Sequence, residues 1–178
     1  MKTVKWRPAT KQDRALLNGF TCTPKPKKDN SGRPLHNPLP WERPVQSWFR
    51  NDAIASTARA AGDDQQLWIL PEKGSISAAY AHARCALVDY SGPQRLMVAL
   101  AVSLEHRRAG RKVADSSFEH ALSTIRGSEL TKPVLVLGKI DIRNQASQAL
   151  VARAGMALVD HLQGDDGAVL GLWAMEID

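Results

Sequence analysis

The segment that most constrains this chain runs from Leu96 to Lys112. Leu96-Met-Val-Ala-Leu-Ala-Val-Ser103 is a near-continuous apolar run, as expected of a strand buried on both faces. It leads into a basic, glycine-bearing turn, Arg107-Arg-Ala-Gly110-Arg-Lys112. Beyond the turn, Ala114, Phe118, Ala121, Leu122 and Ile125 recur at helical spacing, with Asp115, Glu119 and Arg126 on the other side. A strand that delivers the backbone into such a turn and then a helix is a device for binding phosphate. The first N–H groups of the helix have no partner inside it, and its dipole adds partial positive charge there. Three arginines and a lysine surround those amides, which suits the pyrophosphate of a nucleotide-containing cofactor.

A chain of 178 residues suits a single domain over 1–178 and can bury a real core. With 43% apolar and 24% charged residues, the composition is globular rather than disordered. No apolar run approaches the roughly 18–20 residues that span a bilayer, and Met-Lys-Thr-Val-Lys-Trp-Arg7 is no secretory signal. A soluble, cytoplasmic protein with no membrane partner is expected. Cys22 and Cys85 make no disulfide framework, the five histidines are scattered singly, and no Cys/His spacing resembles a metal site. The net charge of +6 suits an anionic ligand or an acidic partner. The basic residues form no long patch. Lys25-Pro-Lys27-Lys28 therefore reads as solvated surface, and nucleic acid is not the expected partner.

Thr3 to Arg7 alternates as a first strand, and Thr10 with Asp13 forms a capping-box pattern before a helix ending near Gly19. Residues 21–43 are rich in proline and lysine without periodicity and read as a long loop. From Val45 to Ala61 the apolar spacing is helical, with Pro44 in the first turn and Trp48 and Phe49 in the apolar stripe. Gln66–Leu70 and Ser75–Val88 read as two arms of a hairpin. The second arm is ambiguous, since its alanines favour helix while its flanking turns favour strand. Pro133–Leu137 is a short buried strand, 145–154 a helix capped by Gly155, and Met156–Leu162 and Val169–Glu176 are two strands joined by a Gly/Asp turn. The sum is an α/β domain, of α+β type, with about seven strands and about four helices.

The order from Leu96 to Met156 resembles the GCN5-related N-acetyltransferase (GNAT) superfamily. Those enzymes carry Arg/Gln-x-x-Gly-x-Gly/Ala after the fourth strand, matched here by Arg107 to Lys112 with Val102 upstream. A second signature is matched by Asn144, Ser147, Leu150, Gly155 and Met156. The resemblance implies a mixed sheet in which two neighbouring parallel strands splay apart, and acetyl-CoA as cosubstrate with no metal. The pantetheine arm would pair with the freed strand edge through Leu100 and Val102. The amides of Arg108, Ala109, Gly110, Arg111 and Lys112 would hold the pyrophosphate, and Asn144, which also suits an N-cap, would contact the arm. Lys112 stands where the family closes its motif with Gly or Ala. Val151 stands at the family's frequent tyrosine acid, and Lys139 at the glutamate base of some relatives. The catalytic residues are therefore unknown, with Glu105, His82 and Tyr80 as candidates. The implied activity is acetyl transfer to an amine of a small molecule or protein. The alternative is a non-catalytic CoA-binding or protein-interaction module on the same fold. A homodimer is permitted by analogy.

Overall fold

Apolar alternation and turn chemistry carry the chain into one mixed sheet with helices on both faces. The computed structural model describes residues 5–25, 27–36, 39–59, 64–107 and 112–178, with 34–36 by their backbone alone. In chain order it forms β1 (Arg7–Pro8), a 3-10 turn (Lys11–Asp13), α1 (Arg14–Gly19), and the hairpin strands β2 (Lys27–Lys28) and β3 (Pro34–His36). Then come α2 (Glu42–Ser47), a π-helical turn (Trp48–Asp52), α3 (Ala53–Arg59), β4 (Gln66–Glu72), β5 (Ser75–Cys85) and β6 (Gln94–Val102). The remainder is α4 (Leu104–Arg107), α5 (Lys112–Ser128), β7 (Val134–Asp141), α6 (Gln145–Arg153), β8 (Ala157–Gln163) and β9 (Val169–Ile177). The seven-stranded sheet has the order β1-β4-β5-β6-β7-β9-β8, and β6 with β7 is its parallel pair.

The ambiguous second arm is a strand, and its alanines have a packing reason. Ala79 and Ala81 face the layer of Leu17, Phe20, Phe49 and Ala53, where small side chains let the helices approach the sheet. Tyr80 and His82 alternate onto the opposite face, beneath α5. That second face is closed by Phe118, Leu122 and Ile125 of α5 and Leu150 and Val151 of α6, packed over Val134 and Val136. The capping box forms as expected: the backbone N–H of Thr10 donates to Asp13 at 2.8 Å, and Thr10 Oγ1 donates at 3.0 Å. Gly155, at φ +96, ends α6 in the conformation glycine adopts without strain.

Three expectations are corrected. Residues 21–43 are not one loop. Asp29 organises a turn by accepting from Ser31 N, Ser31 Oγ and Arg33 N at 2.7–2.9 Å, Gly32 takes φ +82, and the flanking residues pair as β2 and β3. A single carboxylate with several local donors accounts for a hairpin that hydrophobic patterning does not mark. The helix after it also starts earlier, at Glu42. The first strand is shorter than expected, pairing Arg7 and Pro8 with Ile69 and Trp68, while residues 1–4 lie outside the described range. Finally, β6 is not buried along its length: Leu96 to Leu100 are half-exposed.

Beneath α5 the sheet holds a polar cluster. Arg95 is fully buried, and its Nε donates to Glu129 Oε1 at 2.7 Å while its other nitrogens reach the Asp64 carboxylate and backbone oxygen. Arg84 donates to the same Glu129 at 2.9 and 3.0 Å. His82 Nδ1 lies 3.4 Å from Arg95 Nη1, and burial followed by the Arg95 charge depresses its pKa from 6.5 to about 4. The unfolded chain thus binds a proton near pH 6.5 that the folded one refuses until about pH 4. This contribution to stability is complete above pH 6.5 and is lost as pH falls through that window, by up to about 3 kcal/mol. Denaturant titrations between those limits should show the fall, and His82→Gln should flatten it. Glu129→Gln should cost about 2–4 kcal/mol at neutral pH, because it leaves the buried Arg95 charge with the partly exposed Asp64 carboxylate as its remaining ionic partner among the described residues.

Candidate cofactor cleft

The parallel ladder between β6 and β7 is short. Gln94, Arg95, Leu96 and Met97 pair with Leu135, Val136, Leu137 and Gly138, and pairing then stops although both strands continue. On its other side β6 goes on pairing with β5, but with a one-residue irregularity: His82 opposes Met97 and Ala81 opposes Ala99. Val98 is the extra residue, a bulge that bends the strand and increases its twist. From Val98 onward β6 turns with β5 and away from β7, so the edges of Val98–Val102 and Lys139–Asp141 face each other unpaired.

A cavity of about 750 Å³ fills this opening. Every residue of β6 from Met97 to Val102 lines it, as does every residue of β7 from Gly138 to Asp141. Side chains of a strand alternate between faces, so an unbroken run of lining residues means that the cleft follows the backbone edges themselves. Ala114 and Phe118 of α5 and Ser147, Leu150 and Val151 of α6 form one wall, and Pro40 to Glu42, Pro44 and Val45 form a roof on the other side.

The roof is tied to both banks. Arg107 Nη1 donates to Glu42 Oε1 at 2.6 Å, and Thr23 Oγ1 donates to Glu42 Oε2 at 3.2 Å. Gln46 Oε1 accepts from the backbone N–H groups of Cys22 and Thr23 at 2.9 and 3.1 Å. On the β7 bank the Arg143 guanidinium lies 5.3 Å from the centre of the Trp41 ring, while donating to both oxygens of Asp141 at 2.9 and 2.7 Å. That pairing holds the Asp141 carboxyl below the usual carboxylate range. Cys22 lines the cavity, and burial pushes its thiol up to about 11.

The residues singled out from sequence fall into four groups. Leu100, Val102 and Arg107 line the cleft, as does Asn144. Asn144 is also the N-cap of α6, its Oδ1 accepting from Ser147 N at 3.1 Å, and its Nδ2 makes no hydrogen bond among the described residues. Lys112 is exposed at the first position of α5, while Arg108, Ala109, Gly110 and Arg111 lie outside the described residues. Glu105 is exposed on α4, beside the cleft but not lining it. Tyr80 and His82 are away from the cleft. The Tyr80 hydroxyl lies 2.7 Å from His120 Nδ1 and 3.1 Å from Thr124 Oγ1, and burial raises its pKa; His82 Nε2 lies 3.2 Å from the same Thr124 oxygen.

Sequence reasoning passed over Glu42, Trp41, Gln46 and His106. His106 lines the cleft, with Nδ1 2.8 Å from Ser103 Oγ and Nε2 2.9 Å from Glu72 Oε2, which ties α4 to the β4–β5 turn. Only Ser103 and His106, three apart at a helix start, left a local signal; the other links join residues distant in sequence.

No family model matches the chain, and no curated protein does either. Solved structures do. The ribosomal-protein-S18-alanine N-acetyltransferase of Escherichia coli superposes with a TM-score of 0.60 at 13% identity, over 97% of this chain and 93% of that one. An acetyltransferase of the GNAT family from Streptococcus pneumoniae gives 0.59 at 15% identity, over 98% and 99%. The yncA protein of Salmonella typhimurium, solved with its cofactor acetyl-CoA, gives 0.55 at 12% identity, over 99% and 95%. At these identities the likeness is one of architecture, and it agrees with the interrupted parallel ladder: the chain has the fold of the GCN5-related N-acetyltransferases.

Proposed function

We propose that the protein is an acetyl-CoA-dependent N-acetyltransferase acting on a primary amine. The observation that carries this reading is the unpaired edge of Val98–Val102, because an extended ligand arm bearing amides can complete it as an added strand would. Leu100 and Val102 offer backbone groups to that arm, and the Nδ2 of Asn144 is free to donate to it. The N-terminus of α5 gives onto the same cleft through Ala114, and the Arg107 guanidinium lines it, which suits the pyrophosphate. The acetyl-CoA bound in the neighbour from Salmonella typhimurium supports the same choice of ligand.

When bound, acetyl-CoA supplies an acetyl thioester, whose C–S bond is exchanged for a C–N bond as the amine proton passes to water or the departing thiolate. The chain orients the two partners. The β6 edge places backbone donors beside the thioester end, the apolar wall of Phe118, Leu150 and Val151 excludes water, and the roof bounds the acceptor side. Of the three carboxylates lining the cleft, two are engaged, Glu42 with Arg107 and Asp141 with Arg143, and Asp166 lies on the exposed β8–β9 turn. The proposed chemistry uses none of them, nor Glu105, His82 or Tyr80. The amine reacts in the neutral form supplied by solution.

Calorimetric titration of the full chain with CoA should show binding, and no heat at millimolar ligand overturns the reading. Asn144→Ala should lose about 1 kcal/mol of stability with the helix cap, whereas Asn144→Asp should keep the cap and weaken CoA binding about tenfold. Below the pKa of the acceptor, kcat/KM should rise about tenfold per pH unit and track the amine when peptides with an α-amine of pKa about 8 replace those with lysine. A plateau independent of the amine would assign proton removal to a side chain instead.

A further inference from the structure

The hairpin β2–β3 lies in the segment that joins two parts of the cleft lining. The chain leaves the cleft at Cys22 and returns at Pro40 and Trp41, all three of which line the cavity. The departing backbone is clamped to α2 by Gln46 and Glu42, as described above. Outward from that clamp the hairpin carries Lys25, Lys27, Lys28 and Arg33, all exposed, and α2 adds exposed Arg43. None of these five forms an ion pair among the described residues. The single acid of the hairpin, Asp29, accepts three turn hydrogen bonds through Oδ1. Within the cleft the exposed side chain of Lys139 likewise has no acid partner among the described residues. Exposed cations thus stand on the segment between Cys22 and Pro40 and, with Lys139, in the cleft itself.

We propose that the acceptor amine is carried on an acidic polypeptide segment that docks along the β2–β3 hairpin, with Lys139 pairing with a carboxylate close to the amine. This rests on the acyl-transfer reading above. A small acceptor held inside the cavity would not engage the cations on the hairpin, none of which lines it, whereas an extended chain at about 3.3 Å per residue reaches beyond the cavity. A nucleic acid fits less well. No aromatic side chain accompanies the cations between Pro24 and Arg33 on which a base could stack. Local cation pairing with carboxylates, moderated by salt, is the interaction expected.

The test is fluorescence anisotropy on the full chain, read as binding without turnover. The probes are short peptides with a free amine followed by Asp and Glu, the same peptides with Asn and Gln, and a single-stranded oligonucleotide of equal charge. At low salt the acidic peptide should bind about tenfold more tightly than its neutral twin, and the difference should shrink with added salt. Lys25→Glu, Lys27→Glu and Lys28→Glu together should abolish the preference and leave CoA affinity unchanged. Lys139→Gln should weaken the acidic peptide more than its neutral twin. Equal affinity for the two peptides, a preference that survives charge reversal, or tighter binding of the oligonucleotide would overturn hairpin docking. CoA affinity is measured separately, so its absence would strike the acyl-transfer reading, while normal CoA binding without peptide preference would strike only the docking. The salt dependence of the unaltered chain keeps the test independent of how any variant folds.

Discussion

Four residue pairs hold β6 to β7, and everything at the cleft depends on their being only four. A continued ladder would leave a closed sheet with no free edge and no cavity. The extra residue at Val98 ends it, because β6 must follow the altered twist of its antiparallel partner β5, whose pairing continues through Val102. The strand is therefore held firmly on one side and bare on the other. A buried strand with unsatisfied backbone groups would be costly, so the opening is solvated or occupied by a ligand that supplies the missing partners.

The two faces of the sheet divide the remaining work. Beneath α5, the aromatic and ionic layer of Tyr80, His82, Arg95, His120 and Glu129 fixes the helix whose N-terminus gives onto the cleft, and Trp6 stacks on His120 at 5.0 Å between ring centroids. On the other face, small alanines let α1 and the helical run from Glu42 to Arg59 sit close to β4 and β5, and that proximity brings Glu42 over the cleft. The roof is then secured both by the packing of Val45 on that core and by polar links to both banks.

The main elements were legible because each has a local cause. The period of the stripe from Ala114 to Ile125, the capping box at Thr10 and the glycine at 155 are read within a few residues, and each element formed where its pattern lies. Apart from the local turn at Asp29, the main departures from expectation involve distant partners. The alanines of β5 look helical until the helices packed on them are known. The candidates Tyr80 and His82 are polar residues on a central strand, and only the burial of that face under α5 separates them from the cleft. Glu42 and Gln46 act across about twenty residues of chain, through a hairpin that hydrophobic periodicity does not mark.

The amino-acid sequence by itself determined the order of the sheet strands and the main helices and the asparagine that opens α6, since capping and periodicity are local properties of the chain. Only the tertiary structure decided where the parallel ladder stops, which carboxylates are already held by arginines, and which cations are left without partners. Those are matters of strand register and of pairing between segments far apart in the chain, where packing of the whole sheet outweighs any neighbouring residue.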